Sequence, residues 1–326
     1  MNIPIIDISS LVNKSDNQFS KSDNQFSKSD NQYSKEVNKT ETINQIKHAC
    51  QNIGFFMIKN HGIPKDIIDN IWLSSSNFFD QDLSYKNQFF SEDQEKYPFG
   101  YMGIGYELLS ASQNNNLKLT PDLKESFSIS LSKVDKWPDE PNNLQESWTN
   151  YFNSMTNLTN LLLEAFAISL NKDKYFFKKY TNNHASALRA LNYPIFSNNQ
   201  IKKDRNQLRA SPHTDYGTIT ILKADQPGLQ VFSKDKEWIT VPIIEDTFIV
   251  NIGDMMQRWT NDKWKSTLHQ VININTDKVR RQSIAFFHNP NNDAIIESII
   301  DDEEPKYLPI VSKQFLMQKH LLTLKK

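Results

Sequence analysis

Two rhythms of apolar and polar residues divide this chain. In several stretches between Glu41 and Leu170, apolar positions recur at three- and four-residue spacing, as on a helix with one buried face. That spacing predicts helices from about Glu41 to Asn52, within HGIPKDIIDNIWLSSSNFF (61–79) after the Gly62-Ile63-Pro64 turn, and from about Gln145 to Leu170. From about Ala185 the texture changes to short apolar runs punctuated by Gly217, Gly228 and Gly253. TITILKA, LQVFS, EWITVP, TFIVNI, HQVINI and SIAFFHN predict six strands, and many short strands at such intervals predict a β-sandwich or barrel. IPIIDI (3–8) and GFFMIKN (54–60) add strands on the N-terminal side, and 311–325 predicts a closing helix. Helices first, a compact β core second and a helix last define an α+β protein.

Two stretches follow neither rhythm. Residues 15–35 are three tandem heptamers, SDNQFSK, SDNQFSK and SDNQYSK. One aromatic per heptamer cannot bury enough surface to offset chain entropy, and a coiled coil needs two apolar positions, so a flexible polar insertion is expected. Residues 81–122 are polar and irregular, with Pro98, Gly100, Gly103 and Gly105, which suggests a loop on the substrate side.

Composition narrows the function classes. With 326 residues, 11% of them aromatic, the chain can bury a substantial core. A net charge of −1 without a basic footprint argues against a nucleic-acid partner. Cys50 is the only cysteine, which excludes an intrachain disulfide and weighs against thiolate zinc or Fe–S chemistry. The richest apolar stretch, NLLLEAFAISL (160–170), is short and interrupted by Glu164, so no membrane partner is expected. MNIPIIDISSL lacks the features of a secretory signal, and a cytoplasmic location is expected. Oligomeric state is not legible.

The chemistry sits in His213-Thr214-Asp215, in the distant His269 and in Arg281-Gln282-Ser283. Two imidazoles and one carboxylate can occupy three adjacent positions around a metal and leave the others open, the ligand pattern of non-haem Fe(II) oxygenases. In extended chain, residues two apart share a face, so His213 and Asp215 can bind one ion together. His213-Thr214-Asp215-Tyr216-Gly217 is expected to open one strand and His269 another. Arg281 and Ser283 share a face of a strand that continues into the apolar run IAFF. A buried arginine needs an anion, and a planar guanidinium grips a carboxylate at two points. Arg280 should point the other way, to solvent.

Several other residues invite blander readings. Trp259 and Trp264 are expected to pack, and His61 and His288 to be structural. Asn251 and Asp254 are candidates to support the metal ligands. Tyr101, Tyr106 and Phe127 are candidates to line the substrate mouth.

Residues 3–8 and CQNIGFFMIKNHGIP (50–64), then HTDYGTITIL, GLQVF, NIGDMMQRWTNDKWKSTLHQV and RQSIAFFHNP, resemble the iron/ascorbate-dependent oxidoreductases in order and spacing. That superfamily includes isopenicillin N synthase and the plant 2-oxoglutarate-dependent dioxygenases. The resemblance covers nearly the whole chain apart from the heptamers. It implies a double-stranded β-helix, or jelly roll, core flanked by N-terminal helices and a C-terminal helix. It implies Fe(II) on His213, Asp215 and His269, with no catalytic side chain beyond the iron centre. Arg281 and Ser283 would bind the distal carboxylate of 2-oxoglutarate, with Tyr193 of LNYP, and Asn192 as alternative or partner, also on the cosubstrate. Ascorbate would serve as reductant, and O2 would oxidise a small-molecule substrate with release of succinate and CO2. The implied divisions are an N-terminal dioxygenase region (1–120, carrying the 15–35 insertion), a helical connection (121–184), the Fe(II)/2-oxoglutarate jelly-roll domain (185–290) and a C-terminal extension and helix (291–326).

Three rivals share parts of this pattern. A 2-oxoglutarate-independent Fe(II) oxidase of the isopenicillin N synthase type keeps the arginine and serine pair. A non-catalytic jelly-roll binding protein would have lost a ligand or the arginine, and none is missing. A zinc hydrolase has no need of Arg281 and Ser283.

Overall fold

The computed structural model describes residues 2–12, 28–90, 99–109, 111, 121–131, 136–195, 208–274 and 279–323, with backbone alone for 28–35. The first heptamer and most of the second lie outside the described residues.

Two sheets face each other. The larger has the order β1 (Ile5–Asp7), β2 (Phe55–Lys59), β10 (Thr247–Ile252), β7 (Ile219–Ala224), β12 (Arg281–His288), β5 (Ala187–Tyr193), β4 (Glu125–Ile129) and β3 (Gly100–Met102). The smaller has β6 (Ala210–His213), β11 (His269–Val271), β8 (Leu229–Phe232) and β9 (Trp238–Thr240). A two-stranded ribbon, β13 (Ile295–Ile296) with β14 (Ile310–Val311), lies beyond. All these pairings are antiparallel except that of β1 with β2.

The large sheet is buried on both faces, which is why its strands read as almost continuous apolar runs. Side chains still alternate with period two. Phe56, Ile221, Phe248, Val250 and Phe286 point outward into a core shared with the helices. Phe55, Met57, Leu191, Ile249 and Ala285 point inward against Leu229, Val231 and Val271 of the small sheet. The outward core is completed by α1 (Lys28–Asn52), α2 (Lys65–Phe79) and α4 (Leu144–Ser169), with the short α3 (Leu83–Lys86) between the last two. In α4, Leu144, Trp148, Tyr151, Met155, Leu158 and Leu162 are buried at helical spacing. Two short helices, α5 (Lys178–Thr181) and α6 (Asp254–Trp259), precede the C-terminal α7 (Ser312–Leu321).

The six predicted strands are present, within a residue or three of their expected bounds. Strands β3 to β6, β13 and β14 are additions. Because β4 lies between 121 and 184, that stretch is not wholly helical: Phe127 and Ile129 alternate with serines, a strand period. Helix α1 starts upstream of its expected bound and takes in the third heptamer. Ile43, Ile46, Ala49 and Cys50 anchor it in the core, and the upstream residues contain no Pro or Gly to end it.

Candidate active site

Strand pairing explains how the distant histidines meet. His213 and His269 stand opposite each other across β6 and β11, with ring centroids 4.3 Å apart. His269 opens its strand as expected. His213 instead closes β6, and Asp215 lies in the loop that leads to β7. His213 and Asp215 therefore do meet, but not through the i, i+2 geometry of one extended strand. What places Asp215 is its surroundings: its Oδ2 accepts hydrogen bonds from Thr220 Oγ1 (2.6 Å) and Asn251 Nδ2 (2.7 Å). Its other oxygen, Oδ1, lies 3.7 Å from His269 Nε2.

The donor atoms suit one metal ion. One atom from each of His213, Asp215 and His269 lies within 4.8 Å of the others. The Nδ1 atoms of His213 and His269 lie 2.7 and 3.0 Å from the backbone carbonyls of Ser211 and Thr267. A carbonyl only accepts, so Nδ1 carries the proton and Nε2 keeps its lone pair for the site. Burial, then the neighbouring His269, pushes His213 down to about 4, so its imidazole is neutral, the form that ligates metal. Burial works to raise the Asp215 carboxyl. His269 and His213, with the bonds from Thr220 and Asn251, outweigh it and hold the carboxyl below its ordinary value. The set is two imidazole nitrogens and one carboxylate oxygen on a buried wall, and it fits the facial pattern of Fe(II).

Arg281 and Ser283 line the same cavity as the three donors. Arg281 Nη1 lies 3.4 Å from Ser283 Oγ, and Nε donates to the Gln226 carbonyl at 3.1 Å. Tyr193 pairs with Arg281 across β5 and β12, its ring 4.7 Å from the guanidinium carbon. Arg209 is a second guanidinium nearby, lowered to about 10 by burial and by the charge of Arg281, and an anion between them would relieve that repulsion.

Asn192 is not part of this cluster. Strand alternation turns it to the outer face, where its Nδ2 donates to Glu125 Oε1 at 2.6 Å and its Oδ1 accepts from Arg280 Nε at 2.6 Å. The cosubstrate role expected for it is corrected by that orientation. Arg280 does point away from Arg281, yet not into open solvent, for it is paired with Asp80 and Asn192. Tyr101 and Phe127 also face outward, a register pair buried with Phe78, and Tyr106 packs on Phe90. None of the three lines the cavity. Trp259 and Trp264 are fully buried among aromatic rings, as expected. His61 accepts a hydrogen bond from Ile63 N, and His288 is fully buried beside Thr218.

Asp254 is held between elements. Its carboxylate accepts from Thr214, Ser266 and Lys319, so it ties the metal loop to α7, whose Leu316, Met317 and His320 line the cavity. Thr220, Arg189, Glu107 and Lys124 also line the cavity and were missed in the sequence. The signal was there for Arg189: a charge inside the apolar strand ALRALNY.

Comparison with known proteins agrees with this geometry. The family model described as the 2OG-Fe(II) oxygenase superfamily matches residues 185–290, and that of the non-haem dioxygenase in morphine synthesis N-terminal region matches 3–152. The DMR6-like oxygenase 2 of Arabidopsis thaliana is 32% identical over 286 residues, spanning 85% of this chain and 77% of the relative. The chain belongs to the 2OG-Fe(II) oxygenase superfamily. Another relative of this oxygenase is the 2-oxoglutarate-dependent dioxygenase traH of Penicillium crustosum, 31% identical over 295 residues, covering 83% and 88% of the two chains. A full-length Neurospora crassa protein, crystallised with alpha-KG (2-oxoglutarate), superposes with a TM-score of 0.81 at 30% identity over 98% of this chain and 96% of that one. The oxygenase is thus a jelly-roll, Fe(II)- and 2-oxoglutarate-dependent dioxygenase that oxidises a small molecule with O2. Among the described residues no helix is long and apolar enough to cross a membrane.

Proposed function

We propose that His213, Asp215 and His269 hold Fe(II), and that Arg281, Ser283 and Tyr193 receive the distal carboxylate of 2-oxoglutarate. The observation that carries this reading is the meeting of all six side chains in one cavity, from segments far apart in sequence. Bound iron with 2-oxoglutarate supplies the oxidising power for hydroxylation of an unactivated C–H bond, with succinate and CO2 as coproducts.

The chain's own part is positional. Thr220 and Asn251 hold one Asp215 oxygen, which turns the other toward the histidines. The carbonyls of Ser211 and Thr267 fix the imidazole tautomers. Arg281 and Ser283 fix where a dicarboxylate ends, and so where its other end meets the ion. The apolar walls from Leu191, Leu222 and Phe287, with α7, keep water from the reacting centre.

Among the structural neighbours, the Neurospora crassa protein has also been crystallised with thymine, and JOX2 with JA, both small molecules. The present cavity measures about 200 Å3, below the roughly 300–1,000 Å3 of pockets for drug-sized ligands, and supports a small substrate. Ascorbate as reductant, the division of the chain at 120, 184 and 290 and a cytoplasmic location belong to the same reading.

Anaerobic addition of Fe(II) and 2-oxoglutarate should produce a visible metal-to-ligand charge-transfer band, and Asp215→Ala should abolish it together with succinate release. A wild-type protein that binds iron and shows no such band would overturn the cosubstrate assignment.

A further inference from the structure

Around the start of β12, successive side chains take opposite faces of the large sheet. Arg281 and Ser283 enter the cavity, while Arg280 and Gln282 turn outward against α2. The strand is near its end here. Its ladder with β7 stops at the pairing of Ser283 with Ala224, and its ladder with β5 stops at that of Arg281 with Tyr193. Beyond β7 the contact continues through one loop residue: Gln282 N donates to Asp225 Oδ1 (2.9 Å), and Asp225 N donates to the Gln282 carbonyl (3.2 Å). Element ends with few backbone bonds are where local opening begins.

One turn of α2 meets this strand end from outside. Gln282 is 1% exposed, and both ends of its amide are bonded. Its Oε1 accepts from Ser76 Oγ at 3.0 Å, and its Nε2 donates to the Trp72 carbonyl at 3.2 Å. Arg280 Nη2 donates to the Ser76 carbonyl at 3.3 Å, and its guanidinium also meets Asp80, just past the helix, and Asn192 of β5. The residues on both sides of Arg281 are thus tied to α2. A buried amide costs free energy unless its hydrogen bonds are made. A methionine of similar size would fill the same space, so packing alone does not call for glutamine. Two directional bonds, to groups one helical turn apart, fix where the strand lies on the helix.

We propose that Gln282, assisted by Arg280, is a positioning residue for the cosubstrate: by fixing the start of β12 on α2, it sets where the Arg281 guanidinium and the Ser283 hydroxyl stand in the cavity. This rests on the reading of Arg281 and Ser283 as the socket for the distal carboxylate of 2-oxoglutarate. Gln282 does not itself line the cavity. Its effect is confined to the end of the cosubstrate that meets the socket. The chelating end is independent of it, because His213, Asp215 and His269 are carried by other segments. A misplacement of about 1 Å can cost on the order of a hundredfold, so loss of two bonds with the packing kept should cost about tenfold.

Full-length protein loaded with Fe(II) under anaerobic conditions is titrated with two ligands, followed by the charge-transfer band and by calorimetry. One is 2-oxoglutarate; the other, 2-oxobutyrate, has the same chelating end and no distal carboxylate. Gln282→Met should weaken 2-oxoglutarate about tenfold and leave the affinities for 2-oxobutyrate and Fe(II) within about twofold of wild type. Ser76→Ala removes one of the two bonds at a half-buried position and should weaken 2-oxoglutarate by a smaller factor. The double variant should be no weaker than Gln282→Met, since both changes break the same bond. Unchanged 2-oxoglutarate affinity in Gln282→Met overturns the proposal. Equal loss of both ligands assigns Gln282 a structural role and overturns it too. If Gln282→Met does not fold, Ser76→Ala decides: a loss confined to 2-oxoglutarate supports the proposal, and no loss, or an equal loss of both ligands, ends it. Arg281→Gln is the reference. If it binds 2-oxoglutarate as tightly as wild type, the socket reading fails and this proposal with it. That result is distinct from weakening by Arg281→Gln without weakening by Gln282→Met, which strikes the proposal alone.

Discussion

Asp215, a proposed iron ligand, shows how one carboxylate is oriented by its neighbours. Two donors, Thr220 and Asn251, occupy Oδ2 and leave Oδ1 facing His269. Removing either donor leaves Asp215 in place but free to rotate, and such outer partners of metal ligands are typically worth about 10–100-fold in metal affinity. Thr220→Val and Asn251→Ala should each weaken Fe(II) binding by about that factor, measured by titration under anaerobic conditions, with little change in the circular dichroism of the fold. Unchanged iron affinity in both would show that Asp215 is oriented by something else. Arg281, proposed to meet the 2-oxoglutarate carboxylate, is set in a different way, by Ser283 and by the ring of Tyr193 on the neighbouring strand.

At the scale of elements, the site is built by strands meeting at close quarters. Gly253 precedes α6 and crosses behind the metal loop. A Cβ placed there would collide with the Gly217 carbonyl oxygen and lie 3.1 Å from that of Asp215. Backbone, not a movable side chain, is what it would meet. The Asp254 N to Asp215 O hydrogen bond (2.7 Å) runs through the same contact. Gly253→Ala should therefore push the Asp215 loop out of register, with at least about a tenfold fall in succinate production. The fall should be accompanied by weaker Fe(II) binding, checked in parallel. Full activity in this variant would mean that the loop can shift without moving the carboxylate.

For the whole molecule, buried neutral histidines couple stability to pH. Burial, then the nearby His184, pushes His288 down to about 3 from an ordinary value of 6.5, and burial brings His61 to about 4. Below pH 6.5 the unfolded chain takes up protons at these rings that the native protein refuses. Their contribution to stability is complete above pH 6.5 and is lost as pH falls toward about 3 for His288 and about 4 for His61. The melting temperature should thus decline from neutral to acid pH. His288→Gln should flatten that decline while lowering stability at every pH through lost packing. An unchanged slope in the variant would remove His288 from this account.

The residue types and spacing of the sequence alone carried the proposed ligand set, the proposed carboxylate socket and the predicted strands. Those features are legible because a two-residue alternation is local and because His213, Asp215, His269, Arg281 and Ser283 sit in segments with a distinctive order. Tertiary structure decided what lies across space. It turned Asn192 outward to Glu125 and Arg280, although Tyr193 beside it faces the cavity. It buried Tyr101 and Phe127 in the helix-facing core, and it gathered Glu107, Lys124, Arg189 and Asp122 into one buried ion-pair cluster. The physical reason is the same in each case. A chain's own pattern shows which side chains share a face, but the partner that covers that face comes from a distant segment, and only folding brings the two together.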